Sequence, residues 1–293
     1  MEIVRTVSWM KEASRQARAD NHVIGFVPTM GALHEGHLSL LNRAKSECSK
    51  VFASIFVNPA QFGPNEDLSK YPRTFEADVK KLEAAGVNVL FAPDTQEIYP
   101  RGFATYITVE GLSDRFEGKT RPGHFRGVAT VVHKLFEAAS PHFAFLGRKD
   151  AQQVRVLQRM LLDLSSDVEI VVCPIVREPD GLALSSRNSY LNPEERRAAT
   201  VLHRALSVAQ EKLSAGARDT VALQNAAREV LAAEKLARVD YVEVVGADSF
   251  EPVARIGGAP AYILLAVFIG KTRLIDNLLI ESSAGSNEVS SSL

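Results

Sequence analysis

Strand and helix patterns alternate through the first 173 residues, and this alternation limits the fold more than any other feature of the chain. Apolar runs rich in β-branched and aromatic residues precede segments whose apolar residues recur at helical spacing. The predicted strands are 23–27, 51–57, 87–91, 106–109, 143–146 and 169–173. The predicted helices are 8–19, 36–48, 75–85, 124–138 and 151–164. The pattern indicates an α/β fold, a doubly wound parallel sheet covered by helices on both faces.

The pattern changes near Pro174. Residues 174–191 are polar and turn-forming without a clear period, and two helices and three strand candidates follow. The helices begin after the capping residues Asn192 and Asp219 and end near 213 and 236. The strand candidates are 239–245, 262–269 and 273–279. We predict a first domain over 1–174, a smaller α+β domain over 175–281 and a disordered serine-rich tail over 282–293.

The composition excludes several classes of protein. The 293 residues carry a formal net charge of −1, which gives no basic face for nucleic acid. The longest apolar run, 259–270, is too short to span a bilayer, and residues 1–11 lack the apolar core of a signal peptide. Two cysteines make no disulfide framework, which favours a reducing compartment. We predict a cytoplasmic protein without nucleic-acid or membrane partners.

Two histidines lie where the first predicted strand turns into a helix. The segment 28–37 reads PTMGALHEGH and contains His34, Gly36 and His37. The N-terminus of a helix presents unpaired backbone N–H groups and the positive end of the helix dipole. This favours a phosphate, and two imidazoles on the first turn can contact the same anion.

A structural role or a metal site could also account for this segment. A buried histidine is usually structural, and Gly36 can simply allow close packing of helix and strand. A metal site is the rival function, but the zinc-protease spacing H-E-x-x-H is absent, and Cys48 and Cys173 stand apart. The pattern G-x-x-x-x-G-K-[ST] is met by Gly31 and Gly36 and then fails at His37. The residues therefore favour nucleotide chemistry of another type.

Polar residues also follow two other predicted strands. Asn58 and Gln61 would lie beside the histidine segment if the first two strands are neighbours, and an ordinary capping turn is the alternative. Lys149 can neutralise charge on a phosphate and Asp150 can accept from ribose hydroxyls, although such a pair is often only surface charge.

Two loops carry groups that suit anions. The hydroxyls and guanidinium of LSSRN at 184–188 can wrap a polyphosphate, or they belong to a serine-rich linker. The segment 117–127, EGKTRPGHFRG, is a second anion-binding edge, a flap or a solvated loop. The fingerprints G-x-S-x-G and, after the first strand, G-x-G-x-x-G are absent.

Four blocks occur in the order found in one enzyme family. They are PTMGALHEGH at 28–37, VNPAQF at 57–62, RPGHFRGV at 121–128 and LSSRN at 184–188. With them the chain resembles the pantothenate synthetases (pantoate–β-alanine ligases) to about residue 280. That family belongs to the nucleotidylyltransferases related to class I aminoacyl-tRNA synthetases, so the resemblance implies a Rossmann-like first domain.

The resemblance implies ATP- and Mg²⁺-dependent amide formation. Pantoate would attack the α-phosphate of ATP, giving pantoyl adenylate and pyrophosphate. The amine of β-alanine would then displace AMP and yield pantothenate. The resemblance also implies a homodimer, with the smaller domain acting as a lid, and it identifies no protein ligand of Mg²⁺.

The resemblance further implies the site residues. His37 would be the proton donor, Lys149 would lie near the reacting phosphate, and Val176 would face the adenine through its backbone. Gln61 and Gln153 would bind pantoate, and Gln61 would also lie near β-alanine. The implied catalytic residues are His34, His37, Lys149 and Arg187. The implied ATP-binding residues are Met30, Gly31, Ala32, Leu33, His34, Glu35, Gly36, His37, Gly147, Arg148, Lys149, Asp150, Val176, Leu184, Ser185, Ser186 and Arg187.

One block departs from the family form, in which FGEKDYQQ or a close variant is usual. Leu146, Arg148 and Ala151 replace the phenylalanine, the acid and the aromatic residue. The residues that keep the family form are Gly147, Lys149, Asp150, Gln152 and Gln153. The resemblance therefore keeps the catalytic assignment, with a different local charge near ATP.

Two other functions fit the residues. One is a nucleotidyl transferase that stops at the activated ester or uses a different acid. The other is a nucleotide-sensing domain, which would bind ATP without any acid-dependent release of pyrophosphate.

Overall fold

The chain divides into two compact units. The computed structural model describes residues 1–64 and 66–281. The first unit is Met1–Val176, and the second begins at Arg177. The predicted disordered tail, 282–293, lies outside the described residues.

The first unit holds a six-stranded sheet whose strand pairs are all parallel. Its strands are β1 Glu2–Val4, β2 Ile24–Thr29, β3 Lys50–Ile55, β4 Val89–Phe91, β5 Phe143–Gly147 and β6 Glu169–Cys173. They lie in the order β1-β4-β3-β2-β5-β6, so β2 is central, with β3 on one side and β5 on the other. The predicted α/β class is confirmed. The sequence pattern missed β1, because three residues are too few to show a period.

Helices cover both faces of this sheet. Successive residues of a strand point to opposite faces, so neighbouring residues of one strand enter different cores. The helices are α1 Val7–Ala19, α2 Glu35–Glu47, α3 Phe75–Ala85, α4 Thr95–Ile98, α5 Glu117–Thr120, α6 His124–Ala139 and α7 Ala151–Asp163. Phe26 and Phe52 share one core with α1, α6 and α7. Val27 and Ala53 share the other core with α2 and α3. Within the described residues, no helix is long and apolar enough to cross a membrane.

The predicted strand 106–109 is wrong. The segment joins no sheet and is assigned to no named strand. The Ile107 N–H donates to Thr130 Oγ1 on α6 at 2.9 Å, and Val109 is buried. Its β-branched residues cover a helix instead of entering the sheet, and a sequence period does not distinguish these two uses.

The second unit packs three helices on an antiparallel sheet. They are α8 Pro193–Ala198, α9 Val201–Ser214, α10 Thr220–Ala232, β7 Ala237–Gly246, β8 Ala261–Ile269 and β9 Thr272–Ile280, with strand order β7-β8-β9. The single helix predicted to 213 is wrong, because the chain turns at Thr200, whose hydroxyl donates to the Arg197 carbonyl. The next helix ends at Ala232 rather than near 236.

A half-buried ion pair connects β9 to the start of the second unit. Arg177 binds Asp276 with both terminal nitrogens, at 2.6 and 2.9 Å, and also donates to the Gly181 carbonyl. The carboxylate of Asp276 is almost fully buried. This pair therefore belongs to the stability of the unit, because removing one partner would leave a buried charge uncompensated.

Candidate active site

The loop between β2 and α2 is bent by two consecutive residues in the left-handed region. Gly31 has φ +81° and Ala32 has φ +50°. A Cβ on residue 31 would stand 3.1 Å from Asp78 Oδ2, so glycine meets both the conformation and the close approach. The buried Thr29 hydroxyl accepts from the Gly31 N–H at 3.1 Å and donates to the Ser54 carbonyl at 2.7 Å. The loop conformation is thus fixed by its neighbours.

A buried carboxylate on α3 holds the same loop. Asp78 accepts from the N–H groups of Ala32 and Leu33, each at 2.8 Å, and from the Thr74 hydroxyl at 3.0 Å. Only 1% of Asp78 is exposed. Sequence reasoning missed this residue, because nothing in the helical pattern of 75–85 shows that one of its carboxylates faces a loop 45 residues earlier in the chain.

The twin histidines form a capping box at the start of α2. His34 is the N-cap and its Nδ1 accepts from the Gly36 N–H at 3.1 Å. The Nδ1 of His37 accepts from the His34 N–H at 3.3 Å. Because both Nδ1 atoms accept, a neutral ring must carry its proton on Nε2. The centroids of the two rings that carry these Nε2–H donors lie 4.1 Å apart.

Both imidazoles are held neutral. Burial first, and then the charges of Lys149 and Lys81, lower the pKa of His34 to about 4. Burial, the neighbouring His34 and the same two lysines lower the pKa of His37 to about 3. Near pH 7 these side chains therefore act as hydrogen-bond donors without carrying charge themselves, and the positive charge of the site comes from the lysines.

The β5 end brings a lysine beside this loop, because β5 and β2 are neighbours in the sheet. Lys149 Nζ lies 3.8 Å from Asp150 Oδ1, and its charge acts on both histidines. At Gly147, no described atom outside the glycine and its two chain neighbours lies within 4 Å of the place where a Cβ would stand. The strand end therefore leaves room for a ligand to approach the backbone.

The β3 end brings Gln61 to the opposite side of the histidine loop, as the sequence predicted for neighbouring strands. Gln61 Nε2 lies 3.1 Å from Met30 Sδ, and its Oε1 accepts from Asn58 Nδ2 at 3.0 Å. Asn58 also donates to the Gly127 carbonyl and accepts from the Tyr99 hydroxyl at 2.7 Å. Tyr99 is a further residue that sequence reasoning missed.

The two adjacent glutamines of α7 have different surroundings. Gln152 is buried and bonds three backbone groups, the Glu117 N–H and the carbonyls of Leu112 and Arg115. Gln153 is half-buried, and its side chain forms no hydrogen bond within residues 1–64 and 66–281. Its amide is therefore available to a ligand, whereas that of Gln152 is committed to the fold.

A third histidine, His124, supports the backbone of Gln61. The nearby Arg121 binds Glu66 with two nitrogens at 2.7 Å and lies 3.1 Å from His124 Nε2. Because a guanidinium only donates, Nε2 accepts and Nδ1 donates to the Gln61 carbonyl at 2.9 Å. Burial and the Arg121 charge lower the pKa of His124 to about 4.

The other predicted residues are assigned only to their units of the fold. Leu184, Ser185, Ser186 and Arg187 belong to the second unit, on the turn before α8, where Ser185 Oγ accepts from the Arg187 N–H at 3.3 Å. Val176 ends the first unit. The role of these five residues at a nucleotide stays a prediction.

The described residues contain no group of three or more His, Cys, Asp or Glu side chains placed to hold a metal ion. Mg²⁺ keeps several waters and usually takes one or two carboxylates together with substrate phosphates. An ion of this kind does not require a dedicated cluster of protein carboxylates.

A family model described as pantoate-beta-alanine ligase matches residues 2–279. The chain belongs to the pantoate–beta-alanine ligase family. The pantothenate synthetase of Roseiflexus sp. (strain RS-1) is 55% identical over 282 residues, which are 96% of this chain and 100% of the relative. That of Acetivibrio thermocellus is 51% identical over 281 residues, again 96% and 100%.

Solved structures of pantoate–beta-alanine ligases share the fold. The pantothenate synthetase of Thermus thermophilus has a TM-score of 0.89 at 47% identity and covers 95% of this chain and 99% of its own. The ligase of Francisella tularensis, complexed with beta-gamma ATP and beta-alanine, has a TM-score of 0.78 at 37% identity, with 95% and 97% covered. As a pantoate–beta-alanine ligase, the chain forms a carbon–nitrogen bond and makes pantothenate from pantoate and beta-alanine.

Because this ligase keeps buried histidines neutral, we expect its folded state to become less stable as pH falls. A histidine whose folded pKa is depressed stabilises the native state fully above its unfolded pKa of about 6.5 and loses that contribution as pH falls. The loss would reach about 2 kcal/mol per fully buried histidine at pH 5. We expect the melting temperature to fall between pH 7.5 and pH 5 in calorimetry, and to fall less in His124→Gln. An equal fall in both proteins would contradict the assignment for His124.

Proposed function

We propose that the first unit activates pantoate as pantoyl adenylate. A pantoate carboxylate oxygen attacks the α-phosphorus of ATP, the bond from that phosphorus to the bridging oxygen breaks, and pyrophosphate leaves. The amine nitrogen of β-alanine then attacks the acyl carbon. The bond from the acyl carbon to the phosphate oxygen breaks, AMP leaves, and the nitrogen loses a proton.

The observation that carries this proposal is the capping box of His34 and His37. It uses both Nδ1 atoms and so leaves two Nε2–H donors together at a helix N-terminus, beside the Lys149 ammonium. Neutral donors, a helix dipole and one cation suit a triphosphate whose charge shifts as the α-phosphate is attacked. Hence these groups would bind the phosphates and His37 would donate to a phosphate oxygen. Mg²⁺, when bound, would neutralise part of the phosphate charge.

Two glutamines would bind the pantoate. Gln61, beside Met30 at the end of β3, and Gln153, at the start of α7, would bind pantoate from opposite sides of the loop. No side chain needs to become a covalent carrier, because the adenylate already supplies a good leaving group. The protein positions the reactants and stabilises charge.

The deciding experiment omits β-alanine. With ATP, Mg²⁺ and pantoate alone, we expect about one pyrophosphate per active site in a rapid burst, and AMP release only when β-alanine is added. Equal turnover with unrelated hydroxy acids would favour a less specific nucleotidyl transferase. ATP binding without acid-dependent pyrophosphate would overturn the proposal in favour of a sensor.

Replacing Gln153 with Ala should weaken the binding of pantoate more than the binding of ATP. The loss of a neutral hydrogen bond of about 0.5–1.5 kcal/mol corresponds to a rise in the KM for pantoate of roughly 3- to 10-fold. The KM for ATP should be unchanged in the same assay. Gln152→Ala is the contrasting variant, because its three buried backbone partners lose their bonds and the melting temperature should fall. Equal effects of Gln153→Ala on both substrates would contradict the assignment.

The homodimer, the lid role of the smaller domain, its contribution of Leu184 to Arg187, and the cytoplasmic location stay predictions. Light scattering after gel filtration should give twice the mass of one chain.

Arg187→Ala should raise the KM for ATP if the second unit closes over the triphosphate. Fractionation of cells should place the enzyme in the cytoplasm.

A further inference from the structure

The helix α3 places the ammonium of Lys81 beside the histidine loop. The reaction proposed above gives this cation no role. Lys81 Nζ donates to the carbonyl of Leu33, the residue before the N-cap His34. Lys81 lies three residues after Asp78, so both side chains project from one face of α3. The helix thus contacts the loop twice, through a buried carboxylate at the amides and an ammonium at a carbonyl.

Lys81 and Lys149 approach the histidines from different sides. The helix α3 connects β3 to β4, whereas Lys149 follows β5. The strands β3 and β5 lie on the two sides of β2 in the sheet. The charges of both lysines act on His34 and on His37. Two cations that reach this loop from different strands suit an anion longer than one phosphate.

The ammonium of Lys81 is available for a stronger acceptor. In the described chain its one hydrogen-bond acceptor is the neutral Leu33 carbonyl, and the nearby Asp78 carboxylate is already occupied by three donors. A hydrogen bond to a charged oxygen is roughly twice as strong as one to a neutral oxygen. The flexible lysine stem allows the exchange without a change in the backbone.

We propose that Lys81 is a second phosphate-binding cation, which contacts the pyrophosphate end of the nucleotide while Lys149 contacts the reacting phosphate. This rests on the proposed function only for the direction in which the triphosphate lies. The rival role for Lys81 is a purely structural tie to the Leu33 carbonyl.

Two substitutions separate these roles. Lys81→Gln keeps an N–H donor for the Leu33 carbonyl but removes the charge, whereas Lys81→Arg keeps the charge. Lys80→Gln is the matched control, because Lys80 is the preceding residue on α3, is exposed as Lys81 is, and its replacement makes the same change in net charge. The primary measurement is calorimetric binding of inorganic pyrophosphate to the free full-length enzyme, which does not require adenylate formation.

We expect Lys81→Gln to weaken pyrophosphate about 10-fold, and to raise the KM for ATP by a similar factor, as for the loss of a charge-assisted hydrogen bond. Lys81→Arg and Lys80→Gln should bind pyrophosphate within about 2-fold of the unmodified enzyme, and the KM for pantoate should not change. Unchanged pyrophosphate affinity in Lys81→Gln would overturn the proposal, as would an equal loss in Lys80→Gln. Failure of acid-dependent pyrophosphate release in the unmodified enzyme would refute the adenylate separately.

Discussion

Replacing His37 with Asn is expected to lower the rate of adenylation by about 10²–10³, the cost of losing one preorganised charge-stabilising donor. The Asn side-chain oxygen can take the place of Nδ1 and accept from the His34 N–H, so the capping box and the melting temperature should survive. The variant lacks a donor at the position of Nε2. The measurement is single-turnover release of pyrophosphate with ATP and pantoate.

His37→Gln tests the same atom from the other side. Its amide nitrogen reaches the position of Nε2 but leaves the His34 N–H without its partner. We expect part of the activity to return while the melting temperature falls. Lys149→Ala should lower the rate by a comparable factor, because it removes the cation beside both imidazoles. If His37→Asn and Lys149→Ala both keep full adenylation, the roles assigned to this loop are wrong.

The sequence predicted the parts of this site that depend on local order. A strand, a glycine turn and a helix follow one another in 23–48, so His34 and His37 had to stand at a helix N-terminus. The parallel sheet then placed Gln61 and Lys149 at the same edge. What local order did not show is the tautomer of each ring, which depends on two backbone N–H groups and on the exact turn of the loop.

The sequence did not predict contacts between residues far apart in the chain, such as those between α3 and the histidine loop. The pattern of 75–85 predicts α3 but does not tell which polar residues face the loop, so Asp78 and Lys81 emerged only from the structure. The same limit explains the wrong strand at 106–109, where a β-like period reports burial on one side without naming what covers it. Periodicity shows which face is buried, and the tertiary fold decides against what.

Asp78→Asn should separate loop geometry from bulk stability. An asparagine offers one acceptor oxygen where the carboxylate offers two, so the N–H of Ala32 or Leu33 loses its partner. The Ala32 residue, at φ +50°, then has less to hold it in the left-handed region. A displacement of about 1 Å in a catalytic group can cost about 10²-fold in rate, so we expect kcat to fall by roughly 10- to 100-fold with the KM for pantoate little changed.

The control for that variant is Asp276→Asn, because Asp276 is the other nearly fully buried aspartate among the described residues and pairs with Arg177 in the second unit. Both variants should unfold more easily, by roughly 1–3 kcal/mol for an unsatisfied buried group. Only Asp78→Asn should lower kcat and shift the ¹⁵N resonances of His34 and His37 away from the Nε2–H tautomer. If the two variants lose stability equally and keep both kcat and the histidine resonances, Asp78 is a structural residue and the loop positions its histidines without it.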